Sequence, residues 1–380
     1  MLQAVKQIGP AIAARSNEIE QGRRLPLDVV ELMKPTGAFR LYVPDDLDGP
    51  GVTAGESLEV IEELAYHDGA AGWCSMIGST TSLMSSSLPD PYAKEIFGSR
   101  DAIGGGFAQP NGRAVEVEGG LRVSGRWSWG SGGQHCTSIG GGCLVVDEAG
   151  APSPRADGLA VPFVFFEPSD VEFIDNWHVS GLAGSGSGDF EVSNVFVPEG
   201  RWVQIGLDKP RRDNALSRLP FFGLFACAVA SSAMGMGRRS IAELVALAAS
   251  KKPQGSSRPL SHRTQVQADV AVAEAKLGAA WMFMDSAMDS AWQSALVGDP
   301  ATVEQKRLLR LSATHATQTA AEVTELMYKA GGGAAVYKSS LLQRTFRDSY
   351  VAIQHAMVAP RTFETAGRIR LGLETDTRRF

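Results

Sequence analysis

The chain has 380 residues, 44% of them hydrophobic, which is enough for two or three packed domains with full cores. Lys and Arg number 36 against 42 Asp and Glu, and the basic residues are scattered, so a net charge of -6 argues against nucleic acid as a partner. Cys74, Cys136, Cys143 and Cys227 form no CxxC pair and no metal-ligand spacing, and the opening "MLQAVKQIGPAIAARSNEIEQG" lacks the apolar core of a secretory signal. A reduced, cytoplasmic setting is the expectation.

Residues 1–104 read as a helical domain, with apolar residues at spacings of three and four in "AIAARSNEIEQGRRLPLDVVELMKPTGAF" and "AGESLEVIEELAYHDGAAGWCSMIGS". Asp45, Asp46, Gly49, Pro50 and Gly51 mark the loop between them. Over 105–203 the pattern changes to short alternating runs, among them "AVEVEGGLRVSGRW", "LAVPFVFFEP" and "FEVSNVFVP", divided by Gly, Pro and Asp turns; this predicts an antiparallel barrel or sandwich. A charged linker, "VQIGLDKPRRDNALSRLP", leads into 212–380, where long Ala-rich helical patterns predict a bundle. Within it "LPFFGLFACAVASSAMGMG", 219–237, runs uncharged for about the length of a membrane span. Its many small residues and its lack of a Lys/Arg flank bias read instead as a tightly packed internal helix, and no membrane is expected.

Three stretches of the β-region are candidates for a pocket at a domain junction. In "GGGFAQPNGRA", 104–114, the glycines permit close backbone approach to a ligand, or simply a connecting loop. In "GRWSWGSGGQHC", 125–136, the period of two places Trp127, Trp129 and Ser131 on one strand face. Such a face suits a planar heteroaromatic ring that needs stacking and one hydrogen bond, or equally a strand packed into the domain core. His135, past the turn, reads as exposed or structural. In "DNWHVSGLAGSGSGDFEVSNVFVPEG", 175–200, Trp177 and Val179 share a strand face before a flexible, amide-rich loop. That loop is no P-loop, since it lacks the lysine and opens no helix, and the chain shows no Rossmann unit.

His355 follows "RTFRDSYVAIQ" on the last long predicted helix, where Asp348, Ala352 and His355 share one face. An imidazole there could exchange a proton near neutral pH, or be a satisfied interior histidine, as His315 in "SATHATQTA" reads. HExxH, HxH and other metal spacings are absent, and no GxSxG elbow joins a strand to a helix.

Taken together, "AGWCSMIG" (71–78), "PNGRAVEVEGGLRVSGRWSWGSGGQH" (110–135), "WHVSGLAGSGSGDFEVSNVFVPEGR" (177–201) and "LLQRTFRDSYVAIQH" (341–355) resemble the acyl-CoA dehydrogenase superfamily. The likeness extends over nearly the whole chain and is closest to the two-component (group D) flavin-dependent monooxygenases. The resemblance implies a mostly α, α+β fold: an N-terminal helical domain, a middle antiparallel β-barrel and a C-terminal four-helix bundle, assembled as a homotetramer. It implies reduced FMN or FAD delivered by a separate flavin reductase, and oxygenation of a small organic substrate, aromatic or bearing a heteroatom, by O2 through a C4a-hydroperoxyflavin. It puts Ser131 beside the reactive edge of the isoalloxazine, Trp127 and Trp129 along the pocket, and Phe107, Ala108 and Gln109 on a neighbouring flavin-contacting strand. Trp177, Val179 and Ser180 match a strand edge against the ring, and His355 matches the histidine near the carbon where oxygen adds.

The chain also departs from its relatives' patterns. Where a dehydrogenase carries a carboxylate base in a stretch like "YEGT", this chain reads "IQHAMVAP", and Glu364 in "RTFETAG" lacks the flanking pattern. Phenol-hydroxylating relatives place a histidine shortly after the early "GW", where this chain has Thr80 and Thr81, which favours an amine, a sulfur compound or an already activated ring as substrate. Ala183 stands where relatives often carry arginine. Two alternatives remain at this level: an FAD-dependent dehydrogenase of the acyl-CoA type, and an inactive binding subunit.

Overall fold

The computed structural model describes residues 1–377 and 380. The chain opens with α1 (Leu2–Ala14), α2 (Ser16–Gly22), α3 (Leu27–Met33), α4 (Ala54–His67), α5 (Gly69–Ser82) and α6 (Asp90–Phe97). Side chains set two of these starts. Thr53 and Glu56 form a reciprocal capping box on α4, and the Asp68 carboxylate accepts the N–H groups of Ala70 and Ala71 at the head of α5. Asp68 is extended, so α4 and α5 meet there at a corner rather than as one rod.

The strands are β1 (Gly104–Val117), β2 (Gly120–Trp127), β3 (Ser138–Val146), β4 (Phe163–Phe166), β5 (Glu172–Ile174), β6 (Asp189–Pro198) and β7 (Trp202–Val203). They form one seven-stranded sheet in the order β5-β6-β2-β1-β3-β4-β7. The antiparallel expectation is corrected at one pairing, because β1 and β3 run parallel. The reason is the path of residues 128–137. After β2 has returned antiparallel to β1, this segment crosses the start of β1 and feeds β3 onto its other edge. The stretch "GGGFAQPNGRA" lies within β1, whose register against β3 shifts on either side of Pro110, a residue with no N–H for the ladder.

The chain closes with α7 (Ala215–Arg218), α8 (Phe221–Ser250), α9 (Thr264–Val297), α10 (Val303–Gly331), α11 (Leu341–Ala352) and α12 (Arg361–Arg370). Helix α10 packs on α8, α9 and α11, while α8 also lies against α4, which joins the two helical regions. A Cβ at Gly235 would sit 2.2 Å from the Glu62 carbonyl oxygen, so glycine is what lets α8 come this close to α4. By length and composition α8 could cross a membrane, yet 78% of its most apolar window is buried inside the protein. Its apolar surface is spent on helix packing.

Candidate active site

Strand β2 ends at Trp127, whose side chain is wholly inside the sheet domain. Its ring stacks on Phe190 at 5.2 Å and 18°, and its indole N–H donates to the Gly142 carbonyl at 2.8 Å. Two residues later Trp129 has φ +62°, a left-handed conformation that side chains of this size rarely adopt. The period of two therefore breaks. Trp129 is 60% exposed and meets Phe107 edge-on at 5.5 Å. The expected common face of Trp127, Trp129 and Ser131 is corrected: Trp127 is core, Trp129 is surface, and Ser131 lies on the crossover between β2 and β3. On β1, Phe107 is half-buried, whereas Ala108 and Gln109 are exposed.

Ser131 is buried, and its hydroxyl is the first of three in a row. The Trp73 indole N–H on α5 donates to Ser131 Oγ at 3.1 Å. Ser131 Oγ lies 2.7 Å from Ser187 Oγ, which lies 2.6 Å from Ser185 Oγ, which donates to the Leu182 carbonyl at 2.7 Å. Backbone bonds fasten the same two segments together, Gly132 N–H to the Ser185 carbonyl at 2.8 Å and Gly130 N–H to the Gly188 carbonyl at 2.9 Å.

The expected strand at Trp177 and Val179 is corrected, because β5 stops at Ile174 and residues 175–179 are irregular. Side chains hold this segment instead of a ladder. Trp177 is half-buried and donates its indole N–H to the Leu182 carbonyl at 3.2 Å; Val179 is half-buried; Ser180 is exposed, and its carbonyl accepts from Arg347. A Cβ at Gly181 would fall 2.3 Å from the Arg347 carbonyl oxygen, so only glycine lets the loop cross α11 here. The Leu182 N–H donates to Asp348 Oδ1 at 2.6 Å. Burial raises that carboxyl to about 7, against the opposing bond from Leu182.

Helix α11 ends at Ala352, so His355 is not on it and does not share a helical face with Asp348. His355 instead caps the following turn, its Nδ1 accepting the Met357 N–H at 3.3 Å. Its ring meets Trp73 edge-on at 5.6 Å and Phe225 of α8 at 5.2 Å. Burial, with the Arg310 guanidinium nearby, pushes the imidazole down to about 4. The ring is therefore neutral at pH 7, and because Nδ1 accepts, its proton sits on Nε2. Arg310, on α10, donates to the Met357 carbonyl at 2.9 Å, and its Nε is buried with no partner. Desolvation brings its pKa down to about 10. It fixes the turn that carries His355.

Trp73 thus touches Ser131 with its N–H and His355 with its ring. Nothing in the sequence pattern alone singles out Trp73 within "AGWCSMIG", nor Phe225 or Arg310 within their helices. A signal existed for Ser185 and Ser187: they alternate with glycines in "GSGSG" at 184–188, which leaves a bare backbone carrying only hydroxyls. The remaining candidates take no part in this bridge. His135 is half-buried against Phe39 at 5.7 Å, and desolvation lowers it to about 4. Thr80 and Thr81 are buried and donate to Met76 and Ile77 carbonyls of their own helix, so their protons are already engaged. Glu364 is exposed on α12 and stands as no buried base.

Helices before and after a central seven-stranded sheet are the plan of the acyl-CoA dehydrogenase class, and the comparisons with known proteins place the chain there. The family models for the acyl-CoA dehydrogenase N-terminal and C-terminal domains match residues 4–89 and 227–360. Indole-3-acetate monooxygenase of Pseudomonas putida is 32% identical over 362 residues, covering 94% of this chain and 90% of that protein. The oxygenase subunit HsaA of a flavin-dependent monooxygenase from Rhodococcus jostii is 25% identical over 402 residues, covering 99% and 100%. The crystal structure of XiaF from Streptomyces sp., in complex with FADH2 and glycerol, superposes with a TM-score of 0.91 at 23% identity, over 98% of this chain and 95% of that one. The chain belongs to the acyl-CoA dehydrogenase superfamily, within its two-component flavin-dependent monooxygenases.

Proposed function

We propose that this protein is the oxygenase component of a two-component monooxygenase: it takes reduced FMN or FAD from a separate reductase and inserts one atom of O2 into an aromatic substrate of the indole class. The observation that carries the reading is the bridge Ser131–Trp73–His355, one polar atom and one neutral proton donor held on either side of a single indole. The residues present fit a flavin. Phe107 and Trp129 offer aromatic surface at the mouth of the β1 side, and Ser131 Oγ, with one bond accepted and one given, keeps a lone pair.

Bound reduced flavin supplies the activation of O2. With flavin bound, the chain's own part would be to offer the Ser131 hydroxyl to the N5 edge and the neutral Nε2–H of His355 to the reacting oxygen, while Trp73 and Phe225 would exclude water. The substrate class follows from two supports. The relatives that are 32% and 27% identical are named indole-3-acetate monooxygenases, and Thr80 and Thr81, whose protons go to carbonyls of their own helix, stand where a histidine would be needed to take a phenolic proton. The dehydrogenase alternative finds no carboxylate in the "IQHAMVAP" stretch, and the buried carboxyls of Asp348 and Asp68 are engaged by the backbone N–H groups of Leu182, Ala70 and Ala71.

With this reading go the domain limits 1–104, 105–203 and 212–380, a barrel-like middle domain, a four-helix C-terminal bundle, a homotetramer and a cytoplasmic location. Exposed Val272 and Met282 on α9 support assembly, and four free, buried cysteines suit a reducing compartment. The test is reconstitution with a flavin reductase, NADH and indole-3-acetate. Product carrying one added oxygen is expected, and NADH consumption that yields only hydrogen peroxide over a panel of aromatic substrates would refute the function.

A further inference from the structure

The hydroxyl row behind Ser131 has two ends whose roles are fixed. The Trp73 indole N–H only donates, and the Leu182 carbonyl only accepts. Ser185 has one proton and spends it on Leu182 at 2.7 Å. The 2.6 Å contact between Ser185 and Ser187 is therefore a bond given by Ser187. With that proton used, the 2.7 Å contact between Ser187 and Ser131 is a bond given by Ser131. The row runs one way, from Trp73 through Ser131, Ser187 and Ser185 to Leu182. Ser131, Ser187 and Ser185 are 5%, 3% and 1% exposed, so bulk water offers no alternative partners. What Ser131 still has to offer is a lone pair, and a group placed against it must bring its own proton.

We infer that this one-way row makes the site select reduced over oxidised flavin, through Ser185 and Ser187 acting as positioning residues that touch no ligand. The inference rests on the reading that Ser131 faces flavin N5. Reduced flavin carries a hydrogen on N5 and donates to Ser131; oxidised flavin has only a lone pair there. To accommodate the oxidised form Ser131 must turn its proton to N5, which leaves two buried oxygens facing each other without a proton: Ser131 and Ser187 if Ser131 turns alone, or Ser185 and the Leu182 carbonyl, still held by the Ser185 and Trp177 N–H groups, if the whole row reverses. Such selection suits a component that collects flavin from a reductase and lets it go after reoxidation.

The experiment is equilibrium titration with reduced FMN and FAD under anaerobic conditions and with the oxidised forms in air, on the wild type, Ser187→Ala and Ser185→Ala. The wild type is expected to bind the reduced form about tenfold or more tightly, roughly the worth of one made against one unmade hydrogen bond. Either substitution frees the Ser131 proton: Ser187→Ala removes its acceptor, and Ser185→Ala lets Ser187 turn and donate to Ser131. Both are expected to strengthen oxidised-flavin binding and cut the preference about three- to tenfold. A tenfold cut lowers the two-electron potential of the bound flavin by about 30 mV, an independent readout. Ser185→Ala is the sharper variant because Ser185 does not contact Ser131. If both variants weaken the two redox forms equally, leaving ratio and potential unchanged, the serines merely hold the loop and the inference is overturned. Equal binding of both forms by the wild type also overturns it while the flavin reading stands; binding of neither form overturns the flavin reading itself.

Discussion

The two sides of the Trp73 indole are built from different materials. On the Ser131 side, two irregular segments are joined by hydroxyls and backbone bonds, with the directions of the bonds fixed at both ends. On the His355 side there is aromatic packing between Trp73, Phe225 and the imidazole, with a single backbone bond setting the tautomer. The contrast teaches that one side is sensitive to the loss of a proton and the other to the loss of volume. Trp73 belongs to both.

Substituting Trp73 therefore breaks the comparison most severely. Trp73→Ala is expected to cost about 3–5 kcal/mol in urea unfolding and to abolish product formation, since it empties the aromatic side and removes the donor to Ser131. Trp73→Phe keeps most of the volume and is expected to cost about 1–2 kcal/mol. Equal destabilisation by the two would show that packing plays no separate part.

Next in size is His355→Ala, for which product formation should fall about a hundredfold or more while reduced flavin still binds and hydrogen peroxide replaces product. Unchanged coupled turnover would remove His355 from the chemistry.

A smaller effect separates the two sides by pH. His355 is lowered from 6.5 to about 4, so its neutral burial contributes stability that is full above 6.5 and lost as pH falls towards 4. Asp348, beneath the Leu182 loop, is raised from 3.8 to about 7 and behaves oppositely, its contribution full below 3.8 and lost as pH rises through about 7. His355→Gln should flatten the acid limb of a stability profile and Asp348→Asn the alkaline limb. Failure of either variant to touch its own limb contradicts the assignment of that group. The smallest structural effect is expected from Trp129→Ala, within about 0.5 kcal/mol because the ring is exposed, but with weakened flavin affinity if Trp129 and Phe107 form the platform.

The order of helices, sheet and helices was legible because the apolar period changes from 3.6 to 2 and back. The parallel pairing of β1 with β3 was not, since a crossover is decided by where the strand lands, not by local pattern. Within the candidate site, Ser131 and His355 were proposed through the family resemblance, but the elements that carry them were not legible. Trp129 takes a positive φ without being glycine, which ends the alternation that pairs it with Trp127 in the sequence. His355 lies past the end of α11, where helical spacing no longer applies. Trp73 is buried on a helix in which nearly every residue is buried, so its sequence pattern could not distinguish a site residue from core.

The central claim is that this chain transfers an oxygen atom from O2 to an aromatic substrate using reduced flavin it does not itself reduce. The most direct measurement is mass spectrometry of the product after anaerobically reduced flavin and protein are mixed with indole-3-acetate and O2 of heavy isotope. One labelled oxygen atom in the product, lost in His355→Ala, is the predicted result; a product without label, or labelled equally well without the protein, would contradict the account.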